Sequence, residues 1–405
     1  MEARKGLGER IARERRRRGM SQLVLSGLIG RSESWLSQVE RGQRRADSHS
    51  VLTILAEILG LTVDELTASE TADTMKRYRA AEKIRQAMMG YDGLATVIYN
   101  DRTETTRENL EWLRRGLQTV NDLYQATKYE EAGRRLPGLI VATEIASRNA
   151  PPGGRRPFQA LRAMTYHATA ATLSRVGEAE LAWTAADRSL AAAEEADNPI
   201  LAAVSAYRLG YVLIRLGESD KALQIAEQAT EALTRSSERA DPQRLSVTGG
   251  LHLVAVTAAA TQLDRATVDT HLAHARDLAH LVGGDRNDFW TAFGPTNVTI
   301  HGLTAAVTFA DAKQAINEGE SVDVSRLSPG LLGRRAQVHL DLARAYAILR
   351  KDAAAVNMLL EAERISPELI RYDRRTSDLL TQLIQREHQV STPELRGLAH
   401  RAGVI

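Results

Sequence analysis

The sequence predicts an all-α protein in two parts, a small N-terminal helical domain followed by a long array of paired helices. Apolar residues recur at helical spacing along almost the whole chain, and no Val/Ile/Tyr alternation of strand type interrupts them. Aromatic residues make up only 4% of the chain while Ala-rich stretches such as LAAAEEA and TAAAT recur, the composition of helices packed closely through small side chains. At 405 residues the chain is also longer than one domain of about 100–200 residues requires.

Composition removes several function classes. With no Cys there is no disulfide framework, thiolate metal site or Cys nucleophile. Lys and Arg number 53 against 51 Asp and Glu, so attraction to a polyanion depends on where the charge sits. The opening MEARKGLGERIARERRRR has no apolar run of signal-peptide type, and no window nears the roughly 18 apolar residues of a membrane span. The expectation is a cytoplasmic protein with no membrane partner.

Glycines divide the first part. Gly19, Gly30 and Gly42 close three short helices, and two more are expected at 48–59 and 62–66, giving a five-helix domain over 1–66. The polar run TASETADT and an amphipathic stretch from 74 to 90 read as linker and connecting helix within 67–104. Paired helices follow over 105–405. NAPPGGRRPF at 149–158 and NEGESVDVSRLSPG at 317–330 read as surface loops, and the first lacks the Lys-Ser/Thr ending of a phosphate loop.

One helix pair carries a tetratricopeptide pattern: Leu209 and Gly210, Gly217 at the turn, then Ala222 and Ala229. Small residues at these places let neighbouring helices approach without side chains between them. Leu173, Gly177 and Ala182 make a second copy, and Leu342, Ala343, Tyr346, Ala355, Ala362 and Pro367 a third; Val256, Val268 and Ala275 form a weaker one. The repeats are degenerate, and the array reads as a tetratricopeptide-like superhelix for sensing and dimerisation.

GMSQLVLSGLIGRSESWLSQVERG, residues 19–42, is the strongest motif. Ser21-Gln22, Leu25, Leu28, Gly30, Ser32, Leu36-Ser37 and Val39-Glu40-Arg41-Gly42 together resemble the XRE family of phage-repressor-like helix-turn-helix proteins, over about the first 66 residues. Elementary physics supports the same layout: Ser21 and Ser32 can cap the second and third helices, and Gly30 supplies a positive φ. Leu25, Leu28, Leu36 and Val39 are expected in a core with Leu7, Ile11, Leu52, Leu55 and Leu59. Trp35 belongs either to this core or against a sugar–phosphate surface.

In such motifs the third helix enters the major groove, so its outward residues Glu33, Ser34, Ser37 and Gln38, with Arg31 just before it, are the expected base contacts. Ser32, Arg41, Arg44 and Arg45 are expected at phosphates, and the resemblance adds Gln22. It also implies an ion pair between Arg15 and Glu40. From Arg4 to Arg45 there are twelve Lys/Arg against four Glu, an excess of eight that suits phosphate neutralisation. A single motif gains affinity by pairing half-sites about 34 Å apart, so the expected partners are an inverted-repeat duplex DNA and a second copy of the chain.

A helix-turn-helix followed by such repeats resembles, in architecture, the peptide-sensing regulators of the RRNPP type, which implies a peptide or small-molecule effector. DFWTAFGPTNVTIHG, 288–302, gathers three of the chain's eight Trp and Phe residues. Trp290, Phe293, Asn297 and His301 are candidate pocket residues, with core packing as the alternative; Tyr207 and Tyr211 are further candidates. His271 and His274 read as an exposed helix face rather than a metal site. No catalytic or cofactor motif is present, so a non-enzymatic transcriptional regulator is expected, with a protein-docking scaffold as the alternative reading.

Overall fold

The computed structural model describes residues 7–8, 11–12, 14–16, 18, 20–44, 49–59, 78–90, 107–235, 241–387 and 391–405. Among them every regular element is a helix. The chain divides into two compact units, Met1–Arg77 and Tyr78–Ile405. The expected helix at 62–66, the TASETADT run and Arg4, Lys5, Arg10, Arg13, Arg17 and Arg45 lie outside the described residues. No described helix is long and apolar enough to cross a membrane.

In the first unit, helices Gln22–Leu28 and Glu33–Glu40 are joined by a short turn in which Gly30 takes φ +65°. The Ser21 hydroxyl accepts from the Val24 N–H and the Ser32 hydroxyl from the Trp35 N–H, each at 3.2 Å, so both helix starts are capped. Ile11, Leu25, Ile29, Leu36, Val39, Leu55 and Leu59 form the buried core, with Leu7, Leu52 and Trp35 packed at its edge. Leu28, expected in that core, is 56% exposed. Ile29 replaces it because the buried arc of this helix runs from Leu25 toward Ser26 and Ile29, and Leu28 falls on the opposite side of Leu25.

The second unit is built from six helical hairpins among the described residues: Arg107–Gln125 with Tyr129–Asn149, Arg155–Arg175 with Ala179–Glu195, Pro199–Arg215 with Ser219–Arg235, Pro242–Thr261 with Arg265–Val282, Pro295–Thr308 with Ala312–Ser321, and Leu332–Ile348 with Asp352–Ile365. Each reverses through three residues whose middle member is left-handed: Thr127, Gly177, Gly217, Leu263, Ala310 and Arg350, at φ between +58° and +89°. In all six the next N–H donates to the carbonyl five residues back at 2.8–3.0 Å, for example Glu218 to Leu213 and Lys351 to Tyr346. This helix ending satisfies carbonyls that would otherwise be orphaned.

Small residues hold the hairpins together. Ala182, Ala222, Ala275, Ala343, Ala355 and Ala362 are all fully buried. A Cβ on Gly210 would lie 2.5 Å from the Val254 side chain, so the first helices of the third and fourth hairpins meet at a glycine. The expected 149–158 loop is shorter than its sequence suggests, since the helix already begins at Arg155 and buries Phe158. Likewise the fifth hairpin extends to Ser321, into the expected 317–330 loop.

The stretch expected as a connecting helix is, from Tyr78 onward, part of the second unit. Helix Ala81–Met89 buries Ile84 and Met88 in the unit's main core, and the Tyr78 hydroxyl donates to the Tyr129 carbonyl at 2.5 Å.

Within the first unit, Arg15 and Glu40 form a two-pronged pair, Nε to Oε1 at 2.6 Å and Nη2 to Oε2 at 3.0 Å. Arg15 Nη1 also donates to the Met20 carbonyl at 2.7 Å, and Gln22 Nε2 to Glu40 Oε2 at 2.6 Å. Both ionic side chains are buried, so removing one strands the other in a poor dielectric. Glu40→Ala should lower the stability of this unit by about 3–5 kcal/mol in urea unfolding. The double change Arg15→Met, Glu40→Ala should be less destabilised than Glu40→Ala alone; equal or greater loss would show that the pair's burial is not what the single change disturbs.

Candidate nucleic-acid interface and ligand cavity

Helix Glu33–Glu40 has two chemically distinct faces. Leu36, Val39 and Glu40 turn inward, held by the apolar core and by the Arg15–Gln22 brace. Glu33 and Ser34 are exposed, and Ser37 and Gln38 half-exposed, so the outward side offers carboxylate, hydroxyl and amide groups. Arg31 is exposed, its guanidinium 5.6 Å from the centre of the half-buried Trp35 ring. Arg41 donates through Nε to the Ser37 carbonyl at 3.1 Å and, like Arg44, Arg16 and Arg18, is accessible. The Gln22 amide, expected at a phosphate, is engaged with Glu40.

In the second unit a cavity of about 190 Å³ is lined mostly by the first helices of the hairpins, with Tyr129, Trp290, Ala292, Leu331, Asp373 and Arg375 from outside them. Of the six residues expected there, Trp290, His301, Tyr207 and Tyr211 line it; Phe293 and Asn297 do not. Phe293 is fully buried, its ring against Gly249, where a Cβ would come within 2.0 Å of it. Asn297 is buried one turn before His301, whose Nδ1 meets its carbonyl at 2.9 Å. Across the cavity the Tyr211 hydroxyl lies 3.0 Å from His301 Nε2.

Sequence reasoning did not anticipate the charge of this cavity. Arg175, Arg208, Arg215, Arg334, Arg344 and Arg375 line it against one carboxylate, Asp373. A signal existed: Arg175 and Arg215 each stand two residues before a turn glycine, at one position of the repeat. Arg208 is buried, with Nη2 3.2 Å from His167 Nε2 and its guanidinium over the Tyr124 and Tyr207 rings. Burial pushes the Tyr124 phenol up, but Arg208, Arg175 and Arg334 outweigh it and bring it down to about 7. Burial first, and then Arg334, hold His301 down to about 3, so it is neutral at physiological pH.

His271 and His274, expected on an exposed helix face, are joined by His252 from the neighbouring helix. His252 and His271 are buried with their Nδ1 atoms 2.8 Å apart, and His271 Nε2 lies 3.4 Å from Glu227. His274 is exposed, and the three side chains bring ligand atoms within 4.8 Å of one another, an arrangement with the donors to hold a metal ion. Without one, a single proton shared between the two Nδ1 atoms suffices to keep the buried pair together.

Tyr124 offers a direct check on the cavity's field. A depressed phenol binds its proton less well folded than unfolded, so this group's contribution makes stability rise from pH about 7 toward about 10, where an unfolded tyrosine ionises. A near-ultraviolet titration through neutral pH should show the phenolate of one tyrosine, absent in Tyr124→Phe. A step that survives that substitution would place the ionisation elsewhere.

Residues 7–68 match the family model of a helix-turn-helix domain. No curated protein matches the chain by sequence. Among solved structures it is similar to Bacillus thuringiensis PlcR, in a crystal structure described as its complex with the peptide PapR7 and DNA, at 14% identity, over 89% of this chain and 94% of that one, with a TM-score of 0.27. The N-terminal unit is a helix-turn-helix domain.

Proposed function

We propose that the chain is a sequence-specific, DNA-binding transcriptional regulator that acts as a dimer, with an effector taken up in the cavity of its helical body. The observation that carries this reading is the two-faced helix Glu33–Glu40, rigidly braced on its inner side and polar and accessible on its outer side. In this reading Arg31, Glu33, Ser34, Ser37 and Gln38 meet base edges. Gln38 has the amide geometry that suits adenine, and Glu33 can accept from cytosine N4. Ser32, Arg41, Arg44 and Arg45 meet phosphates, and Gln22 does so with the N–H that Glu40 leaves free.

The excess of eight positive charges between Arg4 and Arg45, in a chain whose formal net charge is only +2, supports the same reading, because phosphate neutralisation needs gathered cations. Dimerisation follows from the small footprint of one helix in one groove, which leaves a monomer with little discrimination. Trp290, His301, Tyr207 and Tyr211 serve the effector site.

Selection from random duplexes by the full-length protein should recover an inverted repeat with halves about 34 Å apart. Gln38→Ala should cost about 1–3 kcal/mol and relax preference at one base position, whereas Arg44→Ala should weaken all duplexes alike. Uniform, salt-sensitive binding without any preferred sequence would overturn the proposal in favour of a protein-docking scaffold.

A further inference from the structure

We infer that the cavity of the helical body receives a compact organic polyanion, a molecule carrying two or more carboxylate or phosphate groups. This rests on the reading of the body as an effector-binding unit and specifies the chemistry of the effector.

Charge is the first argument. Arg175, Arg208, Arg215, Arg334 and Arg375 line one concavity, and none has a carboxylate within ion-pair distance among the described residues. The sole lining carboxylate, Asp373, already accepts from the Thr376 N–H at 2.9 Å and its hydroxyl at 2.8 Å, capping a helix. The sixth guanidinium, Arg344, is taken by the buried Asp341 at 3.2 Å. Elsewhere on this body some arginines have local partners, as Arg235 does with Glu231 and Arg364 with Glu361, and others such as Arg115, Arg134 and Arg276 stand in solvent; the cavity arginines differ in sharing one concavity. Five guanidiniums held together without a carboxylate partner repel one another, and a bound anion relieves that repulsion.

Hydrogen bonding is the second. Arg208 is 6% exposed, and its Nε has no acceptor. A buried guanidinium donor left unmatched is costly, and planar guanidiniums are suited to two-pronged binding of carboxylate and phosphate. The Tyr124 phenol, hydrogen-bonded to Arg175, is drawn toward ionisation by Arg208, Arg175 and Arg334, so the concavity favours negative charge.

Size and walls are the third. At about 190 Å³ the cavity is only somewhat larger than the roughly 150 Å³ that holds a benzene ring, which suits a compact molecule rather than an extended peptide. A peptide terminus also brings one carboxylate to five guanidiniums. Tyr207, Tyr211, Trp290 and Ile300 add flat, apolar surface for a carbon framework.

The test titrates the full-length protein with inorganic pyrophosphate, citrate, phenyl phosphate, and a tripeptide as free acid and as amide, at fixed ionic strength, by calorimetry. At least one polyanion should bind saturably, once per chain, and lose about tenfold or more in affinity in Arg334→Gln and in Arg208→Lys. Arg235→Gln, on the exterior, should bind as the parent does. Neutral-pH phenolate absorbance from Tyr124 should fall as the probe binds, which a merely structural role for the arginines would not produce. Response to pyrophosphate alone or to citrate alone identifies the acid group.

Binding unchanged by both Arg334→Gln and Arg208→Lys would place the probe outside this cavity and overturn the inference. So would the absence of saturable binding by any polyanion, or a free-acid tripeptide that binds more tightly than all of them. A chain that selects an operator but takes no polyanion refutes this inference alone. One that takes a polyanion but selects no DNA refutes the regulator reading alone.

Discussion

The helical body depends on one repeated constraint, the reversal of the chain within three residues whose middle member must be left-handed. For any L-residue that conformation costs about 1–2 kcal/mol, a cost that achiral Gly escapes. The paired carbonyl bonds at the helix end offset the cost, which is why Thr127, Leu263, Ala310 and Arg350 are tolerated as well as Gly177 and Gly217. Identical reversals keep the first helices in register. Of the six residues that stand six before the left-handed one, five (Ala171, Tyr211, Thr257, Thr304 and Arg344) line the cavity, and of those two before it the first three (Gln125, Arg175 and Arg215) do. A local backbone rule therefore sets one row of the concavity's lining.

The N-terminal unit solves a different problem with similar economy. A short helix must be held firmly while its outer face stays free for another molecule. The Ser32 cap, an apolar stripe and a buried ion pair with a third partner all act on the inner face or the ends of Glu33–Glu40. None of these interactions uses the side chains of Ser34 or Gln38. Rigidity and readout are thus assigned to different residues of one eight-residue helix.

Much of this was legible in the sequence, and the exceptions have physical reasons. Caps and turn glycine depend on residue types with few other uses in such positions, so they announce themselves, whereas the Arg15–Glu40 pair was legible only through the family resemblance. Leu28 misled because apolar character alone does not tell a core face from its margin. The second and third hairpins were visible through Gly177 and Gly217, whereas the first and fifth turn through Thr127 and Ala310, which carry no left-handed signature. Phe293 and Asn297 lie near Trp290 and His301 in sequence, but Phe293 needs the space over Gly249, a residue that sequence proximity could not supply.

The arginine cluster was hidden for a further reason. Its members come from the second, third and sixth hairpins and from the helix that begins at Arg374, so no window of sequence shows an excess of charge. Many of the other ionic groups among the described residues lie on exposed helix faces, several paired three or four residues apart, and that pattern dilutes any count. Only the fold separates arginines with a local carboxylate from those without one. Because the unpaired ones belong to different hairpins, a ligand that neutralises several must touch several at once, and its affinity becomes a measure of how closely those hairpins approach.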